Sequence, residues 1–215
     1  MNKDNICAGI VLYNPDYDRL KKNIEGIYRQ VRIVYCYDNG IENQIKSMLS
    51  DYPNVRIIGK GENNGIAKAI NCIAAAATVE NIKWLLTFDQ DSVCPPNMMQ
   101  EFGKYMNYKN VSIICPYVID KRRPQEELVF DEKITEVDFC ITSGALMNLD
   151  VFFEIGKMDE YLFIGLVDNE YSYKSIMNGY RIIRVNTVIL DHELGNIVSS
   201  RFSRQFLKEQ KNLSP

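Results

Sequence analysis

The chain has 215 residues, 46% of them hydrophobic and 25% charged, which is enough apolar side chain for one buried domain and short for two. A formal net charge of −3 gives no electrostatic reason to expect a nucleic-acid partner. The six cysteines, Cys7, Cys36, Cys72, Cys94, Cys115 and Cys140, lie in mostly apolar runs with no CxxC or Cys/His grouping, a pattern that fits reduced, buried thiols of a cytoplasmic protein.

The N-terminus has a short apolar stretch but lacks the longer apolar region and small-residue cleavage site of a secretory signal. Nowhere do the roughly 18 consecutive apolar residues of a membrane span occur. Short, β-branched apolar runs predict strands over 6–13, 32–37, 55–58, 83–88 and 111–116, and the segments between them predict helices over 17–28, 44–50, 65–78 and 97–106. That alternation is the pattern of a parallel sheet covered by helices. After Pro116 the rhythm breaks. A charged stretch over 120–136 reads as a loop or a hairpin excursion, and a strand is expected over 137–142. Helices follow near 150–155 and 167–178, the second stopped by Gly179, then a strand over 181–188 and a polar tail over 199–215 with a short helix.

The most informative segment is WLLTFDQDS at 84–92, where an apolar strand ends in two carboxylates one residue apart. Alternation along an extended chain puts Asp89 and Asp91 on the same side. In open α/β sheets the carboxyl ends of the strands form the ligand crevice. Hard oxygen ligands there favour Mg²⁺ or Mn²⁺, which usually completes its shell with substrate phosphates and water. Asp-rich strand ends also serve as turns or helix caps.

A second strand end carries YDNG at 37–40. Asp38 has the chemistry to accept the ring N–H of a uracil or thymine; the other reading is an Asn-Gly turn with Asp38 as a cap. In ENNGIAKAINCIAAAA, Asn63, Asn64 and Gly65 open a helix-favouring run whose N-terminal amides suit an anion. Lys68 is either a contact to that anion or a solvated helix lysine. His192, the single histidine, follows the last strand within DHELG and reads as a metal or phosphate contact or as a structural residue.

In order, VLYNPD, YDNG, NNGIAKAIN, FDQDS, ITSGALM at 141–147, VDNEY at 167–171 and DHELG at 191–195 resemble the bacterial rhamnosyltransferase-like members of glycosyltransferase family two, over about residues 6–195. The resemblance implies an α/β GT-A fold, a single nucleotide-diphospho-sugar transferase domain with a mostly parallel central sheet flanked by helices. It implies one domain over 1–198, with a nucleotide-sugar-binding half over 1–116 and an acceptor and catalytic half over 117–198. Carried over residue by residue, Tyr13 lines the base pocket, Asp38 recognises the pyrimidine, Asp89 approaches the ribose or the metal, and Asp91 coordinates the metal, with His192 joining it or meeting the diphosphate. Asn64, Gly65, Lys68 and Gly144 fall in the donor-contacting segments. Asp168 of VDNE matches the catalytic base, although acids at 168 and 170 also suit the first turn of a helix.

The implied activity is inverting, metal-dependent transfer of a sugar, L-rhamnose from dTDP-rhamnose in the first instance or a sugar from a UDP-linked donor, to a saccharide or lipid-linked acceptor in surface polysaccharide synthesis. The implied location is cytoplasmic, with peripheral contact at the inner face of the plasma membrane. Three departures stand out: Ile73 where the pattern has glycine, Gly165 where relatives carry an acid, and Lys174 where arginine is frequent. The chain also ends soon after DHELG, where relatives continue into further helices. The rival reading is a non-catalytic nucleotide-sugar-binding or assembly subunit derived from such an enzyme. A nucleotidyltransferase would need a basic, Gly-rich triphosphate loop, which the sequence lacks.

Overall fold

A computed structural model of the protein describes residues 3–120 and 130–192. Strands β1 (Ile6–Leu12), β2 (Ile33–Asp38), β3 (Val55–Gly59) and β4 (Trp84–Asp89) run parallel in the order β3-β2-β1-β4. Helices α1 (Tyr17–Ile27), α2 (Asn43–Ser50) and α3 (Gly65–Val79) connect them. The sheet continues through β7 (Ala145–Asn148), β5 (Val111–Ile119), β8 (Arg181–Asp191) and the edge strand β6 (Ile134–Val137). Strand β7 is antiparallel to both β4 and β5, β6 is antiparallel to β8, and β5 and β8 are parallel. Helices α4 (Met98–Phe102), α5 (Leu149–Glu154) and α6 (Val167–Met177) complete the fold.

Period-two alternation along β1 divides the core. Ile6, Ala8, Ile10 and Leu12 join Leu20, Ile24 and Ile27 of α1, Met48 and Leu49 of α2, and Met98 and Phe102 of α4. Cys7 joins the opposite cluster with Ile70, Ile73, Ala74 and Ala77 of α3, Phe152 of α5 and Tyr171 of α6. The alanines let α3 lie close to the sheet. Ile73 is fully buried, and a Cβ on Gly9 of β1 would come within 2.9 Å of its Cγ2. The strand thus gives up a side chain where the helix keeps a large one, which accommodates the departure from glycine at 73.

The parallel half matches the sequence reading to within a residue or two at each strand. The second half differs in several places. The strand expected over 137–142 does not form. Val137 ends β6, residues 138–144 are irregular, ending in a turn at Gly144 (φ +83°) closed by Ala145 N–H donating to the Thr142 carbonyl (3.2 Å), and the next strand starts after it as β7. Strand β6 begins within the charged stretch read as a loop or a hairpin excursion and ends at Val137, paired antiparallel with β8. Strand β5 runs past Pro116 to Ile119, because the irregularity in its pairing with β8 between Pro116 and Tyr117 absorbs the missing proline donor. Helix α4 stops at Phe102, ahead of Gly103, and turns rather than helix follow. The tail helix expected within 199–215 lies outside the described residues. No helix among the described residues is long and apolar enough to cross a membrane.

Candidate active site

The carboxyl ends of β1 and β4 open into a cleft of about 440 Å³ whose walls include Tyr13, Asn39, Asp89, Asp91, Thr142 and Asp168. Asp89 ends β4, opposite Val11 of β1, and its carbonyl accepts from the buried Asn23 side chain of α1 (2.9 Å). His192 follows β8 and is held there by its N–H donating to the Ile119 carbonyl (2.9 Å). The fold thereby brings together Asp89, Asp91 and His192, whose ligand atoms all lie within 4.8 Å of one another. Two carboxylates and an imidazole form a donor set suited to a divalent transition ion such as Mn²⁺, and the closeness of the three fits one.

Electrostatics favour a cation at this point. The Asp89 side chain is 41% exposed to the cleft, yet desolvation raises its pKa; His192 opposes that rise, and the charges of Asp91 and Asp168 add to it. Two carboxylate charges and one imidazole therefore bear on Asp89. His192 Nε2 lies 3.8 Å from Asp89 Oδ2.

A hydroxyl relay fixes the imidazole. The Asp89 N–H donates to Ser143 Oγ (3.2 Å), the Ser143 hydroxyl donates to Ser92 Oγ (2.8 Å), and Ser92 Oγ lies 3.0 Å from His192 Nδ1. Ser92 and Ser143 are both buried. With Nδ1 committed to Ser92, Nε2 is the ring nitrogen that faces the carboxylates. Gln90, between the two acids, clamps the end of β1: its Oε1 accepts from the Tyr13 N–H (2.9 Å) and its Nε2 donates to the Tyr13 carbonyl (3.1 Å). The Tyr13 ring is left half exposed at the cleft.

At the end of β2, Asp38 is buried and engaged by its own loop. Its Oδ1 accepts from Gly40 N–H (2.9 Å) and Ile41 N–H (3.0 Å), and its Oδ2 pairs with Lys46 (2.9 Å). Burial pushes this carboxyl up, but the Lys46 hydrogen bond, the two amides and the Lys46 charge outweigh it and hold the pKa below the usual range. Asp38 thus closes the turn at Asn39–Gly40 rather than capping α2, whose N-cap is Glu42, and it is the adjoining Asn39 that lines the cleft.

The amides at the start of α3 are spent within the protein. Asn64 N–H donates to Asn39 Oδ1 (3.0 Å), Gly65 N–H to Asn63 Oδ1 (3.1 Å), and Ile66 N–H to the Phe163 carbonyl (2.7 Å). The amides of Asn64 and Gly65, expected to face an anion, are thus bonded to Asn39 and Asn63, and that of Ile66 latches the helix start to the segment before α6. Gly65 has φ +77°, and a Cβ there would lie 2.3 Å from the Phe163 carbonyl oxygen. Lys68 pairs with Glu160 of the same segment (2.9 Å). Asn71 grips Met158 at both ends, donating to its carbonyl (3.0 Å) and accepting from its N–H (3.2 Å). Sequence reasoning missed Asn71, Gln90 and Ser92, because their partners lie far along the chain.

That latched segment delivers Asp168. Leu166 precedes α6 in the left-handed region at φ +65°, and Asp168, half-buried in the first turn, accepts its neighbour Asn169's N–H at 2.9 Å. Gly144 has a packing role: a Cβ there would meet Leu190 and Pro116 side chains at 2.9 Å each.

Comparison with known proteins shows the family of the chain. Residues 7–158 match the model of Glycosyl transferase family 2. The chain is 29% identical over 207 residues to the dTDP-rhamnosyl transferase RfbF of Shigella flexneri, covering 89% of this chain and 70% of that protein. Among solved structures, GalNAc-T7 with UDP, GalNAc and Mn²⁺ superposes with a TM-score of 0.73 at 16% identity, over 88% of this chain and 44% of that one. The mannosyltransferase PcManGT of Pyrobaculum calidifontis, in complex with GDP-Man and Mn²⁺, gives 0.70 at 14% identity, over 96% and 64%. The chain thus spans less than two thirds of either solved protein, and at these identities the likeness shows the fold, which is GT-A.

Proposed function

Because the chain belongs to glycosyl transferase family 2, we propose that it is an inverting glycosyltransferase that moves a sugar from a nucleotide diphosphate to a saccharide or lipid-linked acceptor. The observation that carries the reading is one cleft lined by Asp89 and Asp91 and also by Asp168. The likeness to a dTDP-rhamnosyl transferase supports dTDP-L-rhamnose as the donor, and Mg²⁺ or Mn²⁺ is the implied cofactor.

In this reading Asp89, Asp91 and His192 would hold a divalent cation, which when bound would supply positive charge to the departing diphosphate. Tyr13, fixed by Gln90, borders the nucleoside, and the loop of Asp38 shapes the base end. An acceptor hydroxyl attacks the anomeric carbon from the face opposite the diphosphate. The new C–O bond forms as the bond to the phosphate oxygen breaks, and the hydroxyl proton passes to the Asp168 carboxylate.

The test is titration with dTDP-rhamnose, UDP-glucose and UDP-galactose with and without Mn²⁺, followed by single-turnover transfer by wild type and Asp168→Asn. Metal-dependent binding of dTDP-rhamnose is expected, with Asp168→Asn retaining that affinity while losing roughly two to four orders of magnitude in transfer, the usual worth of a positioned base. Transfer unchanged in Asp168→Asn removes that residue from the role. Donor binding indifferent to Mn²⁺ and to chelator removes the metal.

A further inference from the structure

A second cavity, of about 270 Å³, lies beside the first and is lined by Tyr117, Phe139, Cys140, Ile141 and Arg184 among others. A small void of about 10 Å³ adjoins both. It shares Cys140 and Ile141 with the second cavity, and Thr142 and Asp168 with the main cleft. The residue placed as the base therefore stands where the two spaces approach each other.

The guanidinium in this cavity is held from two sides. Arg184 Nε donates to Asn186 Oδ1 (2.9 Å). Asn186 is buried, and its own amide nitrogen donates to the Glu132 carbonyl (2.9 Å) and Thr135 Oγ1 (2.8 Å). The Arg184 guanidinium carbon sits 4.9 Å from the centroid of the Tyr117 ring, which Phe130 braces edge-on at 4.8 Å. Yet no carboxylate among the described residues pairs with Arg184, whereas Arg181 on the same strand meets Glu136 at 2.8 Å. Among the described residues no acceptor meets its two terminal nitrogens. A guanidinium fixed flat in this way presents a fork that matches a carboxylate or phosphate.

We propose that this cavity is a subsite for an anionic group, a carboxylate or a phosphate, on the saccharide acceptor, with Arg184 as the residue that selects for it. The inference rests on the glycosyltransferase reading. The cavity falls just below the roughly 300–1,000 Å³ of sites for drug-sized ligands, a size for a single sugar residue rather than an oligosaccharide. Phe139, 43% exposed, and Tyr117 offer apolar faces to the ring, and the strip 139–142 leads from there to Asp168. An acceptor anchored by its charge at Arg184 presents a hydroxyl of the same or the adjoining residue to the base.

Saturation-transfer NMR on the full chain, with methyl glucuronide, glucose 1-phosphate and neutral methyl glucoside as probes, tests it. At least one anionic probe should bind wild type, bind Arg184→Gln at least tenfold more weakly, and recover in part with Arg184→Lys. Methyl glucoside should bind wild type no better than it binds Arg184→Gln. Which anion responds separates a carboxylate-bearing from a phosphate-bearing acceptor. Neutral and anionic probes binding alike, no anion binding, or Arg184→Gln leaving anion binding intact overturns the proposal. Thermal melting checks that Arg184→Gln is folded, and Arg184→Lys carries the test if it is not. A parallel titration of wild type with dTDP-rhamnose and Mn²⁺ separates the two readings. Donor bound without anions sinks the subsite alone, and anions bound without donor sinks the donor assignment alone.

Discussion

His192 and Ser92 are 100 positions apart in the chain yet 3.0 Å apart in space, and that contact fixes the ring in the way a ligating imidazole would need. A histidine whose second nitrogen is hydrogen-bonded has its ring orientation fixed in advance, and partners of this kind are typically worth 10–100-fold in metal affinity. Ser92→Ala should therefore weaken Mn²⁺ binding by about that factor while leaving the three ligands in place, with calorimetric titration of Mn²⁺ alone as the readout. An affinity equal to wild type would show that His192 is either positioned without Ser92 or is no ligand. Asp89 was legible in the sequence because it ends an apolar strand, whereas Asp91 lies in the turn after β4, where strand alternation no longer applies and the turn sets its place beside Asp89. Ser92 and Ser143 were not legible as a relay, since a serine's partner is set by tertiary approach and not by spacing. Gln90 hid in plain view between two acids: its role is to fasten β1 to β4, and no local signal marks that.

At the scale of elements, α3 does two jobs that its composition only half announces. The alanines predict close packing on the sheet, which the structure has. The latch to residues 158–163 depends on Gly65, Ile66, Lys68 and Asn71 meeting a segment some 90 positions away. Through it, the start of α3 bears on the approach to Asp168. Gly65→Ala should cost about 1–3 kcal/mol, from strain at positive φ and from the clash with the Phe163 carbonyl. Asn71→Ala should cost about as much by leaving the buried N–H and carbonyl of Met158 unpaired. Since both release the same segment, the double variant should be less destabilised than the sum, a coupling that urea unfolding of the four proteins measures. Strict additivity would mean that the two contacts hold the segment independently. Strand β7 escaped the sequence reading for a related reason: four residues after a glycine turn carry too little periodicity, and their strand state comes from pairing with β4 and β5 on either side.

On the scale of the molecule, β7 sets the sheet's logic. Inserted antiparallel between β4 and β5, it joins a parallel four-stranded half to a mixed second half without a break in the sheet. Asp89 and Asp91 come from the first half and His192 from the second, two strands beyond β7, so a cation held by all three would tie the end of β4 to the end of β8. A ligand that binds only the folded arrangement stabilises it by about 2.7 kcal/mol at one hundred times its dissociation constant, and the gain is felt wherever local opening would break the site. Hydrogen exchange read by mass spectrometry should therefore slow with Mn²⁺ in two separate peptides, one containing 84–92 and one containing 181–192, and His192→Ala should abolish the second effect while only weakening the first. Slowing confined to the β4 peptide would mean that the carboxylates bind the ion by themselves and that the two halves of the sheet are coupled through their strand pairing alone.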